Sequence, residues 1–291
     1  MVLLVAAAPL VAGCSSKNGG AADGGASAGD AGDDAGSDAA PCSVDLQTDP
    51  NNCGACNVKC SVGSQCVDGK CAGYTIQKPF SVAWADACTL PNQHTVLQNS
   101  AGQTQWAATS DPIPIGFTFV FYGTSYTQAW IANQGTLGLG AYPSSASVPS
   151  CPLPVTSDGY PAIIPFGDQS LELTTSSSAS DGGAGASAVC YATEGTAPNR
   201  EFVVTWENLT EDQDSGSVLT FSVMLSESSN TIDLAYHTAK QGMNGGAYVD
   251  GVSALVGLQG DAKGMAYTQI SGCGQEIYPK APYGIHLTPA M

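Results

Sequence analysis

The sequence predicts an all-β chain: an antiparallel two-sheet sandwich, jelly-roll-like, preceded by a small disulfide-rich module and a disordered N-terminal tether. Three observations predict it. Beyond Gly73 the apolar residues recur with period two, which lays one face of each strand on a core and turns the other toward water. Six of the eleven cysteines fall in residues 42–71, a segment too short to bury a self-sufficient core. Residues 15–41 are nearly pure Gly, Ala, Ser and Asp, so nothing there offsets the entropy lost on ordering. The expected divisions are a signal segment at 1–14, the tether at 15–41, the cysteine module at 42–72 and the sandwich at 73–291.

The first thirteen residues, MVLLVAAAPLVAG, are uncharged and mostly aliphatic, and they end at Cys14. The run is too short to span a bilayer and has the length of a signal-peptide apolar region. Val11-Ala12-Gly13-Cys14 resembles the bacterial lipobox, which implies a diacylglyceryl group on Cys14 and membrane attachment through it. Signals of this type normally open on Lys or Arg, whereas no basic residue precedes Lys17, so the reading expects a start further upstream. The alternative is an ordinary secretory signal with an incidental cysteine. Treated as a random coil of about 25 residues, the tether reaches roughly 25 to 30 Å. Gly25-Ala26-Ser27-Ala28-Gly29 spells the hydrolase pattern G-x-S-x-G but lacks the strand-turn-helix that gives the pattern chemistry.

In the module, Cys42, Cys53, Cys56, Cys60, Cys66 and Cys71 read as half-cystines, because a signal segment sends the chain where thiols oxidise. A zinc or iron-sulfur site is the alternative for Cys53-x-x-Cys56, but there is no second pair at ribbon spacing and no histidine in the module. Asp49-Pro50-Asn51-Asn52, Gly54, Gly63 and Asp68-Gly69 supply the tight turns that closely spaced bridges demand. The pattern TDPNNCGACNVKC, then GSQC and GKC, resembles the short cysteine-rich repeat of myxobacterial surface lipoproteins, with Asn57 where that family usually has glycine. The resemblance implies a surface setting and no particular activity.

The strands of the body are predicted from five alternating sets: Ile115, Phe117, Phe119 and Phe121; Phe202, Val204 and Trp206; Leu219, Phe221, Val223 and Leu225; Ile232, Leu234 and Tyr236; Val252, Ala254, Val256 and Leu258. Glu227-Ser228-Ser229-Asn230 reads as the hairpin turn between the third and fourth sets. No run of twelve residues carries a helical apolar stripe. Leu173–Ala188 reads as a mobile loop bulging from the sandwich. Cys88, Cys151, Cys190 and Cys273 complete an even count of ten once Cys14 is lipidated, and the preferred pairing joins Cys88 to Cys273 and Cys151 to Cys190.

Ile113-Pro114-Ile115-Gly116-Phe117-Thr118-Phe119, followed by Phe121-Tyr122-Gly123, Tyr126 and Asn133-Gln134-Gly135, resembles the opening of the nidogen-like sandwich domains of extracellular proteins. Residues 162–168, 202–208, 219–236 and 254–259 are similar to later segments of that family in the same order. Two positions depart from it: Gly167 replaces an aromatic, and Gln134 is inserted into an asparagine-glycine turn. The resemblance implies adhesion or matrix-type recognition by a non-catalytic sandwich.

Candidate chemistry is sparse. His94, His237 and His286 are far apart in sequence and form no metal spacing. Asp168, Glu172 and Glu207 allow a glycosidase-like carboxylate pair, although acids at strand ends are usually solvated. Asp212 and Asp214, with Gly216, suit an oxygen-ligand calcium loop but lack the third acid and closing Glu of an EF-hand, so a plain turn is the first expectation. No other cofactor or metal and no catalytic residue is assigned. Of Trp84, Trp106, Trp130 and Trp206, the last belongs to an inward set and reads as core, not as a sugar platform. A net charge of −17 excludes nucleic acid as a partner and limits membrane contact to the lipid. The sequence thus predicts a lipid-anchored protein of the cell envelope, at the outer membrane or surface of a Gram-negative bacterium, that recognises a protein or polysaccharide. A secreted glycan hydrolase or lyase and a structural spacer are the alternatives.

Overall fold

Alternating apolar residues assemble into two antiparallel sheets in a computed structural model of the chain. The structure describes residues 43–60, 64–98, 108–143, 151–154, 159–174, 185–214, 216–243, 249–260, 266–272, 274 and 282–290. The signal segment with Cys14, the tether, Cys42, Gly63, Trp106, Cys273 and residues 175–184 of the expected loop lie outside them. The described residues belong to one compact unit. Its strands are β1 (Gln65–Val67), β2 (Lys70–Gln77), β3 (His94–Gln98), β4 (Ile113–Phe121), β5 (Thr124–Ala132), β6 (Thr136–Leu139), β7 (Ala162–Gly167) and β8 (Leu171–Glu172). They continue with β9 (Ala188–Glu194), β10 (Glu201–Glu211), β11 (Val218–Ser226), β12 (Ile232–Lys240), β13 (Leu255–Gln259), β14 (Tyr267–Gly272) and β15 (Tyr283–Ala290). Among the described residues the helical element is a single 3-10 turn at Ala87–Thr89, and no helix is long and apolar enough to cross a membrane.

The larger sheet runs in the order β1-β2-β15-β12-β11-β10-β9-β3, with β8 added against the end of β10. The smaller runs β14-β13-β7-β6-β5-β4. Successive strands β9 to β12 and β4 to β7 are neighbours, so each sheet is largely a meander, whereas a jelly roll sends successive strands to opposite sheets. Pro114 sits on β4, an edge strand, where its missing N–H breaks no ladder.

The predicted sets meet between the sheets. Ile115, Phe119, Phe202, Val204, Leu219, Val223, Ile232, Leu234, Val256 and Leu258 are fully buried in one core. Phe221 stacks between Trp206 (5.2 Å between ring centroids) and Phe166 of the other sheet (5.6 Å). Buried polar tips find partners across the gap: Trp206 Nε1 donates to the Ala132 carbonyl at 2.8 Å, and the Tyr236 hydroxyl donates to the Pro165 carbonyl at 2.6 Å. The predicted turn at 227–230 joins β11 to β12, with Asn230 at φ 52° and its Oδ1 accepting from Val120 N at 2.8 Å. The fifth set begins ahead of its strand, since β13 starts at Leu255 and Val252 lies in the preceding turn.

Outer faces depart from the simple alternation. Every residue of β7 and β13 is buried, because Trp130, Leu153, Tyr160, Ala162, Ile164 and Leu255 form a second cluster outside the smaller sheet. Outside the larger sheet, Ala192, Val203, Met224 and Ala235 are covered by residues 82–90. That strap is held by Ala87 N donating to Thr205 Oγ1 at 2.8 Å, and it places Cys88 over β9. Cys88 is therefore bridged to Cys190, not to Cys273, and Cys190 is not bridged to Cys151. Pairing argued from loop closure missed this because the strap returns to the sheet about a hundred residues ahead of the strand that it covers.

The cysteine module is tied into the larger sheet. Cys53 pairs with Cys66 and Cys60 with Cys71, and Cys56 and Cys151 are also disulfide-bonded. The sulfurs of Cys53, Cys60 and Cys71 lie within 4.8 Å of one another, a cluster of bridged sulfurs. Asp68 (φ 48°) and Gly69 (φ 74°) make the turn joining β1 to β2. Asn57 takes φ 62°, the left-handed conformation that glycine adopts without strain. β2 runs through the expected boundary at residue 72 and pairs with β15 from Gly73↔Ala290 to Gln77↔His286.

Two outcomes check this core. Trp206→Ala is expected to lower the free energy of unfolding by about 3–5 kcal/mol in denaturant titration, as for a large buried aromatic. Non-reducing peptide mapping is expected to recover one fragment linking Cys88 to Cys190, and a Cys88–Cys273 fragment contradicts the strap.

Candidate functional site

A β-bulge in β10 sets up a buried cluster of carboxylates. Phe202, Val204 and Trp206 face the core at even positions, paired with Leu225, Val223 and Phe221. Between Trp206 and Leu209 the register shifts, with Asn208 at φ 54° and its N–H donating to Thr220 Oγ1 at 3.1 Å. The extra residue reverses which parity points inward. Leu209 joins the core, and Glu211 follows it inside with no exposed surface.

Glu211 ends in a corner built from two turns. On one side, Asp168 and Glu172 flank the connection from β7 to β8, and β8 pairs with β10 so that Leu171 opposes Glu211 and Glu172 opposes Thr210. On the other side, Asp212 and Asp214 occupy the turn from β10 to β11. Asp212 N donates to the Ser170 carbonyl at 3.0 Å, which stitches the turns together. Glu211 N donates to Ser217 Oγ at 2.9 Å, and Asp214 Oδ2 accepts from Gly242 N at 2.8 Å. Asp168 Oδ1 accepts from Ser170 N and Oγ, both at 2.9 Å.

The Asn133-Gln134-Gly135 turn, which carries the inserted residue, braces this corner. Gln134, the inserted residue, accepts from Asp168 N at 3.2 Å through its carbonyl and donates to the Gln169 carbonyl at 2.8 Å through Nε2. Gly135 has φ 74°, and a Cβ there would lie 1.8 Å from the Phe166 carbonyl oxygen, so the turn packs too closely for any side chain. Asn133 Nδ2 reaches the Leu171 carbonyl at 3.3 Å.

The electrostatics are adverse. Both Glu211 carboxylate oxygens and Asp168 Oδ2 are buried without a hydrogen-bond partner. Burial first, then the charges of Asp168, Asp212, Asp214 and Glu172, push the Glu211 carboxyl up to about 9. Burial and then Asp212 push Glu172 up to about 6. Asp168 and Glu172, expected to be solvated, are buried at 5% and 8% exposure.

The other predicted residues do not converge. Glu207 lies on the outer face, its carboxyl raised by burial and then by Asp86, while Asp168 is a charge neighbour of Glu211. His94 stacks on Tyr191, His237 on Trp84 and His286 on Phe80, with His286 Nδ1 also 2.6 Å from Asp233 Oδ1. The segment from Asp212 to Asp214 is a turn, closed by Asp214 N donating to the Glu211 carbonyl at 3.1 Å. Sequence reasoning missed Glu211 because alternation from Trp206 sends position 211 outward. The readable signal was the three-residue step from Trp206 to Leu209, where two was the rule.

Linkage gives the corner a pH signature. Unfolded, Glu211 titrates near 4.5, and folded it keeps its proton up to about 9. The stability tied to that proton is complete below pH 4.5 and is lost as pH rises toward 9. In chelator, the melting temperature is expected to fall steadily from about pH 5 to pH 9, and Glu211→Gln is expected to flatten that slope. A wild-type profile that is level over this range contradicts the geometry.

Comparison with known proteins gives two matches. Residues 31–93 match the stigma-specific STIG1-like protein family, a span that holds the cysteine module and the whole strap at 82–90. Residues 80–277 match the family described as NIDO related, a span that holds the smaller sheet and the larger one apart from β1, β2 and β15. No curated protein and no solved structure matches the chain. With about two-thirds of its length covered in this way, the chain belongs to the NIDO-related family.

Proposed function

We propose that the chain is a non-catalytic recognition module of the cell envelope, held by lipid on Cys14 at the outer surface of a Gram-negative bacterium and binding a protein or a polysaccharide. The observation that carries this reading is the union of a NIDO-related sandwich with a STIG1-like module, in a chain whose eight described cysteines are all bridged. Bridged cysteines belong to an oxidising compartment, and a NIDO-related sandwich beside such a module is of the extracellular recognition type. The lipobox-like Val11-Ala12-Gly13-Cys14 supports the anchor, and the net charge of −17 supports a partner other than nucleic acid. Glu207 and Asp168 stand in different surroundings, which favours recognition over glycan cleavage.

Intact-mass analysis of the native protein is expected to show acyl mass on a chain beginning at Cys14, with ten hydrogens gained on reduction. Purified protein is expected to bind envelope polysaccharide or a surface protein saturably, with no turnover. Glycan cleavage abolished by Asp168→Asn with Glu207→Gln overturns the non-catalytic reading, and the absence of any saturable binding reduces the chain to a spacer.

A further inference from the structure

We propose that the acidic corner is a calcium site, with Glu211 and Asp168 as its central ligands and Glu172, Asp212 and Asp214 completing its charge. Clustered acids alone do not make such a site. The deciding observation is that Glu211 is completely buried and neither of its oxygens meets a donor, while Asp168 offers a second buried, unpartnered oxygen, Oδ2. A carboxylate removed from water without a partner is strongly disfavoured, and four further carboxylates nearby increase the penalty. The ion pairs among the described residues are Arg200–Glu227 and His286–Asp233, neither of which involves a corner residue.

A divalent cation resolves the arrangement. Both turns present oxygens only, which selects a hard ion over zinc or copper. Calcium takes six to eight oxygens in variable geometry, including both oxygens of one carboxylate, whereas magnesium requires a near-ideal octahedron and keeps its waters. A fully buried carboxylate with both oxygens unengaged suits the former. Among the described residues no carboxylate trio has its oxygens within 4.8 Å of one another, so the acids stand apart and an ion would draw the turns inward. The β7–β8 turn leaves the smaller sheet and the β10–β11 turn belongs to the larger, so the ion would clamp one end of the sandwich. The calcium-loop expectation for Asp212 and Asp214 is thereby recentred on a residue outside that loop.

The test uses chelator-treated full chain titrated with calcium chloride by calorimetry, with melting curves in parallel. One calcium per chain and a rise in melting temperature are expected. Asp168→Asn and Glu211→Gln are each expected to weaken affinity at least tenfold, while Asp111→Asn, at an exposed acid, leaves it unchanged. Wild-type binding needs no variant to fold, so the absence of saturable uptake overturns the proposal. Equal uptake by a folded Asp168→Asn/Glu211→Gln double variant assigns binding to the general acidic surface and also overturns it, as does tighter binding of magnesium than of calcium.

Discussion

Both sheets of this molecule carry apolar side chains on both faces, and most of the architecture follows from covering them. The inner faces cover each other. The outer face of the larger sheet, with Val203, Met224 and Ala235, draws the segment at 82–90 down as a strap, and the Cys88–Cys190 bridge follows from that position. Outside the smaller sheet, Trp130 and Ile164 require Leu153 and Tyr160. The long connections are thus parts of the hydrophobic structure, because leaving such faces in water forfeits roughly 25 cal/mol for each Å².

Polar groups at the sheet ends are the counterpart of this layering. Arg200 binds Glu227 through Nε at 2.8 Å and passes Nη1 to the Gly116 carbonyl at 2.6 Å, which links the β9–β10 end of one sheet to β4 of the other. There Glu227 has a countercharge. At the corner, the charged groups acting on Glu211 are all carboxylates: Asp168, Asp212, Asp214 and Glu172.

Much of the fold was legible in residues whose neighbours settle their role. The sets on β4, β10, β11 and β12 face inward because period two persists through each, and Asn230 turns where a short polar residue tolerates positive φ. What was not legible depends on residues distant in sequence. Val203 and Met224 looked solvent-facing because nothing local announces the strap. Cys88 could not be matched to Cys190 by spacing, since three-dimensional neighbours 102 positions apart leave no periodic trace. Glu211 was hidden by a single inserted residue, and a rule with period two fails completely after one such insertion. The candidate site was therefore half visible, with Asp168, Glu172, Asp212 and Asp214 noted and the residue between them overlooked.

The ladder between β2 and β15 has a further consequence for the order of events during folding. β2 begins at residue 70 and β15 ends at residue 290, so these partners are among the first and the last described strands to leave the ribosome. Contacts this distant in sequence form late and slowly. The cysteine module can close its own bridges early, but its sheet-side neighbour does not exist until residues 283–290 are made. A chain cut short before residue 283 has no β15 for β2 to pair with, and its bridged module is left without that edge of the sheet.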